Sequence, residues 1–155
     1  MQVEGKQRIA ALSPDQVYAS LTDPDVLGRC TPGLKTIEPD GEGSYRVTLE
    51  IGVAAVKGRY EGTFKILQPS PPDGFTLGID VNGQTGFVRA EVPIALKAVD
   101  GATELTYAGE AQVGGPVAGV GQRVLGGVAK WIVSQFFGAM AREAGASIRT
   151  GGEGR

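Results

Sequence analysis

The sequence predicts an α+β fold in which a curved antiparallel sheet of seven strands wraps around one long C-terminal helix. Apolar and polar residues alternate over most of residues 2–113, which is typical of strands with one buried face. Only short turn segments separate these runs, so neighbouring strands should pair antiparallel. Residues 116–144 instead repeat apolar side chains every three or four positions, which predicts a helix packed against the sheet.

The first strand should span residues 2–11, with Val3, Gly5, Gln7 and Ile9 on its inner face. Gln7 is the one large polar side chain on that face. Two interpretations of Gln7 stay open: its amide reaches water at the end of the strand, or it is a hydrogen-bond donor inside a cavity.

Two short helices should follow this strand. Ser13 is a suitable N-cap, Pro14 fits a first helical turn, and Gln16 completes the spacing of a capping box. Asp23, which precedes a proline, can cap the second helix. A Cys-Thr-Pro-Gly turn at residues 30–33 should then lead back into the sheet.

Six further strands are predicted between residues 34 and 113, with turn signals at Asn82-Gly83 and Asp100-Gly101. Their inner faces combine small residues with large apolar or aromatic ones. The large inward residues are Tyr45, Leu49, Ile51, Tyr60, Phe64, Phe75, Leu77, Ile79, Leu105 and Tyr107.

The last helix, predicted over residues 116–144, combines an apolar face with several glycines. Its apolar row consists of Val117, Val120, Val124, Val128, Ile132 and Phe136. Each glycine inside a helix costs roughly 1 kcal/mol relative to alanine, so the glycines imply close packing, a kink or open space beside the helix. From this pattern alone, two interpretations stay open: a closed core, and an apolar cavity between helix and sheet that some tyrosine hydroxyls reach.

Length and charge point to one soluble domain that does not bind nucleic acid. The 155 residues suffice for a single domain with its own core, and we expect it to cover residues 1–148, with a flexible tail at 149–155. The formal net charge is −2 and no run of Lys or Arg occurs, whereas nucleic-acid-binding surfaces are usually basic.

Few residues could support catalysis or bind a metal. The chain has no histidine, which excludes the Ser-His-Asp triad and histidine-ligated metals, and Cys30 is the single cysteine. Asp23 and Asp25 are explained by helix capping, and Glu50 and Glu61 fall on outward strand positions. The glycines at 114–121 lack the Lys-Ser/Thr pair of a phosphate-binding loop. We therefore expect no catalytic residue and no metal site.

Membrane contact would depend on the most apolar segments of the chain. Charged residues interrupt any apolar run near the N-terminus, so we expect no signal peptide, and Arg123 and Lys130 interrupt the most apolar segment. Residues 131–140 are apolar on more than one side of the helix. They either pack in the core or contact a membrane or a partner protein.

Several motifs, in this order along the chain, resemble the carbon monoxide dehydrogenase CoxG family. That family belongs to the START/polyketide-cyclase superfamily, whose members have the helix-grip fold. The resemblance covers residues 2–145, although Thr31 stands where family members usually carry Ile or Leu. Its motifs are Asp23-Pro24, the turn at Cys30, Gly52, Lys57-Gly58-x-Tyr60-x-Gly62, Thr103-x-Leu105-x-Tyr107, Val113-Gly114-Gly115, Gly121 and Phe136-Phe137.

The resemblance implies a START-like helix-grip domain that acts as a non-catalytic accessory protein of a molybdenum- and flavin-containing dehydrogenase. Its cavity would hold a lipophilic molecule such as an isoprenoid quinone, menaquinone or ubiquinone, with no covalent cofactor. The protein would be cytoplasmic, with peripheral contact at the inner face of the cell membrane. Some relatives carry a long C-terminal membrane extension, which we do not expect here.

With this resemblance, a ligand cavity is favoured over a closed core. The expected lining is Tyr45, Leu49, Ile51, Tyr60, Phe64, Leu77, Ile79, Tyr107, Val117, Val124, Leu125, Val128, Ile132 and Phe136. Two alternatives remain. One is a small-molecule cyclase or hydrolase that uses the same cavity with a tyrosine as acid. The other is an assembly subunit with a filled core and no ligand.

Overall fold

The computed structural model describes residues 1–144 and 148–150, and it confirms the predicted fold class. The strands are β1 (Gln2–Ala10), β2 (Leu34–Pro39), β3 (Ser44–Ile51), β4 (Gly58–Ser70), β5 (Gly74–Gly83), β6 (Gly86–Val99), β7 (Ala102–Gly114) and β8 (Ile148–Thr150). The α-helices are α1 (Pro14–Leu21), α2 (Pro24–Cys30) and α3 (Gln122–Ala144), with 3-10 turns at Ala54–Val56 and Pro116–Val120.

The strands form one antiparallel sheet in the order β2-β3-β4-β5-β6-β7-β1-β8. The first strand pairs with β7, because the two short helices carry the chain across to the far edge of the sheet before β2 begins. Strand β8 adds three residues to the outer edge of β1, so residues 149 and 150 belong to the sheet. The rest of the predicted tail, residues 151–155, lies outside the described residues.

The helix caps follow the sequence closely. The Gln16 backbone N–H donates to Ser13 Oγ at 3.2 Å, and the Ser13 N–H donates to Gln16 Oε1 at 2.8 Å, so the predicted capping box is present. The Asp25 N–H donates to Asp23 Oδ1 at 2.9 Å. These caps fix α1 and α2 at one end of the sheet, where Val17, Leu21 and other apolar residues join the core.

The last helix begins at Gln122, six residues later than the sequence indicated. Gly121 has a φ of 93°, a left-handed conformation that ends the 3-10 turn Pro116–Val120 and interrupts the helical path. The apolar spacing runs through this break, because Val117 is buried as well, so periodicity alone does not reveal it.

The turn between β5 and β6 also differs from the prediction. Asn82 and Gly83 are still paired within the sheet, Gly83 lies opposite Gly86, and the two-residue turn is Gln84-Thr85. A Cβ at Gly83 would overlap the carbonyl oxygen of Arg59 on the neighbouring strand. Gly83 is therefore required by close strand packing, and the hairpin signal is displaced by two residues.

The apolar core is divided into two clusters on the same inner face of the sheet. The first cluster joins α1, α2 and the second half of α3 to β1, β6 and β7, and its centre includes Ile9, Leu105 and Met140. The second cluster lies on β3, β4 and β5 around Val47 and Tyr60. The side chains at its margin are only partly buried: Leu34, Ile37, Ile51, Phe64, Ile79 and Val88.

Candidate ligand-binding groove

The two halves of α3 are covered to different degrees. The second half buries Phe136, Phe137 and Met140 against the sheet and the short helices. In the first half Leu125 and Val128 are half-buried, and Val124 is 41% exposed. The sheet residues of the second cluster and this half of the helix thus both retain accessible apolar surface. Such surface is suited to a lipophilic ligand.

A groove of about 440 Å³ lies between the start of β1 and the first half of α3. Tyr107 on β7 contributes to its wall. The other lining residues are Met1, Gln2, Val3 and Glu4 from the β1 side, and Gln122, Arg123, Gly126, Gly127, Ala129 and Lys130 from α3. A Cβ built on Gly126 or Gly127 would meet no atom within 4 Å, so these glycines border open space.

Tyr107 is 9% exposed, and its hydroxyl has no hydrogen-bond partner among the residues that the structure describes. The ring lies over Gly5, its paired residue on β1, and a Cβ at Gly5 would overlap the phenolic oxygen. Burial raises the pKa of Tyr107 above its usual value, so the hydroxyl stays protonated. It is therefore an available hydrogen-bond donor at the groove wall.

The Tyr60 hydroxyl is already engaged in a network that closes one end of the inner face. It donates to the carbonyl of Val56 at 2.9 Å and accepts from Thr85 Oγ1 at 2.8 Å. The Val117 N–H in turn donates to the Thr85 carbonyl at 2.7 Å. These bonds tie both 3-10 turns to the β5–β6 turn, so Tyr60 and Val117 have a structural role at this end.

A second concavity, of about 570 Å³, is larger but lies on the outer face of the sheet. Its walls carry Lys65, Asp80, Arg89 and Glu91, and Arg89 Nε lies 3.4 Å from Asp80 Oδ1. The charged lining is unsuited to a lipophilic molecule, and the cavity that the sequence suggests lies on the opposite face. The smaller groove beside α3 is therefore the candidate site.

Cys30 packs in the first core cluster and contacts an ion pair between α2 and α3. Arg29 Nε and Nη2 donate to the two carboxylate oxygens of Glu143 at 2.8 and 3.0 Å, and Cys30 Sγ lies 3.7 Å from Glu143 Oε2. Hydrogen bonding to Arg29 holds the pKa of Glu143 below its usual value, while burial raises the pKa of the Cys30 thiol. The sulfur is thus kept as a thiol, which is a poor nucleophile.

The fourteen predicted lining residues are distributed over the inner face rather than gathered around one void. Tyr107 lines the groove, and Leu125, Val128 and Ile132 are half-buried on α3. Phe136 belongs to the first core cluster, with Leu77 packed at its margin. The second cluster or its margin contains Leu49, Ile51, Tyr60, Phe64 and Ile79, while Tyr45 is half-buried on the same sheet face.

The polar and glycine residues of the groove were not among the predicted site residues. Arg123 and Lys130 fall on the polar side of the helical wheel, and Gln2 and Glu4 fall on the outward positions of β1. The one sequence signal for the groove was the glycine content of the helix, which implied space beside it. Which strand borders that space is set only by the pairing of β1 with β7.

Gln7 lies in the middle of β1 opposite Leu105, and it is buried. This position does not fit the interpretation in which its amide reaches water at a strand end. The neighbouring strand β8 pairs with the other side of β1, and Gln7 lies opposite Thr150.

The apolar segment at residues 131–140 is mostly core. Of its large side chains, Phe136, Phe137 and Met140 are buried, while Trp131 is 45% exposed. The expected membrane- or partner-facing end of the helix is therefore not available, and exposed apolar surface lies instead toward Val124 and Trp131.

One described helix segment, Gln122–Glu143 of α3, is long and apolar enough to cross a membrane by length and composition. Its best 18-residue window has a mean hydropathy of 1.3, although Arg123 and Lys130 had suggested that no such segment exists. Only 17% of that window is buried, and the packed helix of a globular domain can meet the same criterion.

The residues described contain no group of three or more Cys, Asp or Glu side chains placed to hold a metal ion.

Comparison with known proteins agrees with the fold and with the motifs. A sequence model of the carbon monoxide dehydrogenase CoxG family matches residues 5–145. No curated protein sequence matches the chain.

Among solved structures, the chain is similar to a conserved protein from Geobacillus kaustophilus, with 38% identity and a TM-score of 0.86 over 95% of this chain and 99% of that one. A START superfamily protein from Mycobacterium smegmatis is 13% identical with a TM-score of 0.68, and covers 92% of this chain and 95% of its own. A protein from Rhodobacter sphaeroides is 18% identical with a TM-score of 0.63, over 92% of each chain. The last two likenesses show the fold alone.

Proposed function

Because the chain belongs to the carbon monoxide dehydrogenase CoxG family, we propose that it is a non-catalytic accessory protein of a molybdenum- and flavin-containing dehydrogenase. It holds an isoprenoid quinone, or a similar lipophile, between the sheet and α3, and it links the enzyme to the cell membrane. Its location is cytoplasmic, with peripheral membrane contact.

The division of the apolar core is the observation that carries this proposal. A closed core would cover the second cluster, yet Ile51, Phe64, Ile79 and Val88 at its margin stay partly accessible. Leaving such surface accessible forgoes about 25 cal/mol for each Å² of apolar area. A ligand chain that covers these side chains would recover this energy on binding.

A quinone fits the chemical character of these residues. Its isoprenoid tail requires apolar contacts, which the half-buried side chains on the sheet and on α3 offer. Its ring carbonyls are hydrogen-bond acceptors, and the protonated Tyr107 hydroxyl is a donor with no partner among the residues described. Tyr60 cannot serve in the same way without breaking its bonds to Val56 and Thr85.

The membrane link is supported by the exposed surface of α3. Val124 and Trp131 are the large apolar side chains exposed in the described chain, and they lie seven residues apart on one side of the helix. Arg123 and Lys130 adjoin them. Tryptophan beside basic residues is typical of helices that contact anionic membrane surfaces.

The enzymatic alternative has less support. A tyrosine acid needs a lowered pKa or a nearby base, whereas burial raises the pKa of Tyr107. The Tyr60 hydroxyl is held by Val56 and Thr85 at the closed end of the inner face.

The proposal is tested with the purified full chain and its Gly126→Leu variant. Organic extraction followed by mass spectrometry should release a quinone or another lipophile from the wild-type protein. Added menaquinone or decylubiquinone should raise its melting temperature, and the variant should respond less because the leucine occupies the groove. A clean extract together with no shift on adding either quinone would overturn the proposal.

A further inference from the structure

The groove between β1 and α3 has a positively charged rim. Arg123 and Lys130 both line it, and their seven-residue separation places them on one side of the helix, two turns apart. Neither forms an ion pair with a carboxylate of residues 1–144. The chain as a whole has a net charge of −2, so a basic rim at this place is a local feature.

One carboxylate also lines the groove. Glu4 lies on β1, and its Oε1 accepts a hydrogen bond from Gln2 Nε2 at 3.4 Å. The α3 helix itself carries no acidic residue before Glu143, which is held by Arg29 at the far end of the helix. The charged side chains that line the groove therefore sum to one positive charge, with both cations on the helix side.

Between the two cations the groove stays open. Gly126 and Gly127 lie midway between Arg123 and Lys130, and a Cβ on either glycine would contact nothing within 4 Å. The Tyr107 hydroxyl, on a side chain more than nine-tenths buried, borders the same space and has no partner among the described residues. A buried donor and two cations thus converge on one opening of the apolar inner face.

We propose that this groove binds the head group of an acidic amphiphile, a molecule with a carboxylate or phosphate on an apolar chain. The acid lies between Arg123 and Lys130 and accepts a hydrogen bond from Tyr107. The chain extends along the half-buried apolar side chains of the inner face. This inference rests on the proposed function, because the chain uses the same apolar space, and it adds a selectivity for acids that a neutral quinone does not need.

The test compares ligands of one chain length and different heads, by calorimetric titration of the full chain below the critical micelle concentration. Dodecanoate should bind the wild-type protein about tenfold more tightly than dodecanol, the gain expected from two partly exposed ion pairs. Trp131, the single tryptophan, adjoins Lys130, so its fluorescence is a second readout. Inorganic phosphate alone should not compete with dodecanoate, because it lacks the apolar chain.

Charge variants assign the selectivity to the two cations. The double substitution Arg123→Gln/Lys130→Gln should lower dodecanoate affinity to that of dodecanol and leave dodecanol affinity unchanged. A matched control, Lys35→Gln/Lys57→Gln, removes two positive charges from exposed positions outside the groove and should keep the tenfold preference. A thermal melt of each variant checks that it is folded.

Several results would overturn the inference. These are equal wild-type affinities for acid and alcohol, competition by inorganic phosphate as strong as that of dodecanoate, or unchanged dodecanoate binding by the folded Arg123→Gln/Lys130→Gln variant. Decylubiquinone separates the two proposals. If it binds while dodecanoate has no advantage over dodecanol, the proposed function stands and this inference falls. If no lipophile of any kind binds, both fall.

Discussion

The ring of Tyr107 on β7 lies over Gly5 on β1, so closely that a Cβ at Gly5 would overlap the phenolic oxygen. The two residues are paired across the strands, and the missing side chain at Gly5 leaves the space in which the tyrosine ring lies. This contact directs the hydroxyl toward the groove beside α3 and couples the sheet register to the candidate binding site.

Gly5→Ala should therefore displace Tyr107. Because the added methyl group cannot fit beside the ring, we expect a loss of about 1–3 kcal/mol in the free energy of unfolding and weaker binding of quinone or dodecanoate. Urea denaturation and calorimetric titration measure the two effects. Gly52→Ala is the control, since a Cβ at Gly52 meets no atom within 4 Å. A Gly5→Ala protein as stable as wild type would show that the ring moves at no cost.

A pair of tyrosine substitutions should separate structure from binding. Tyr60→Phe removes the hydroxyl that bonds Val56 and Thr85, so the free energy of unfolding should fall by about 1–2 kcal/mol. Tyr107→Phe should change stability little, because no described residue bonds that hydroxyl, but it should weaken ligand binding severalfold. Denaturation and titration of both variants provide the measurement. Equal effects on binding would contradict the assignment of Tyr107.

Two glycines at the start of α3 should respond oppositely to alanine. Gly126→Ala lies in the helix with open space at its Cβ, so it should stabilise the protein by up to about 1 kcal/mol while narrowing the groove. Gly121→Ala forces a φ of 93° on a residue with a Cβ, and it should destabilise by about 1–2 kcal/mol. Thermal unfolding distinguishes them. A stabilising Gly121→Ala would mean that the helix can begin earlier.

The Arg29–Glu143 pair should make stability depend on pH in the acid range. Arg29 lowers the pKa of Glu143 in the folded protein, so the pair stabilises the fold above the unfolded pKa of Glu143. That contribution is lost as the pH falls through the lowered folded pKa. Between about pH 5 and about pH 3, the wild type should therefore lose more stability than Glu143→Gln.

Melting temperatures of the wild type, Glu143→Gln and Arg29→Gln across this pH range measure the effect. Arg29→Gln should show the same reduced pH dependence, since it removes the partner that lowers the pKa. Parallel curves for all three proteins would contradict the prediction. The effect should also shrink at high salt, because both side chains are exposed to solvent.

Much of the architecture could be predicted from the sequence because it depends on local periodicity. Alternation placed Tyr45, Phe64 and Ile79 on one sheet face, and the capping residues Ser13 and Asp23 marked both short helices. Two local signals were misleading. The hairpin signal at residues 82–83 belongs to a close strand contact, and the apolar row continues across the break at Gly121.

The sequence by itself determined the fold class, the inward face of each strand and the caps, since each depends on residues near one another in the chain. Only the tertiary structure decided which half of α3 is covered. The short helices and β1 pack over Phe136 and Met140, while Val124 and Trp131 stay exposed. The groove likewise arises from the pairing of β1 with β7, which places Gly5 beside Tyr107 and the first turns of α3 across from β1. Periodicity states which side of an element is apolar, but it cannot state how much of that side a distant segment will cover, because that depends on contacts between residues about a hundred positions apart.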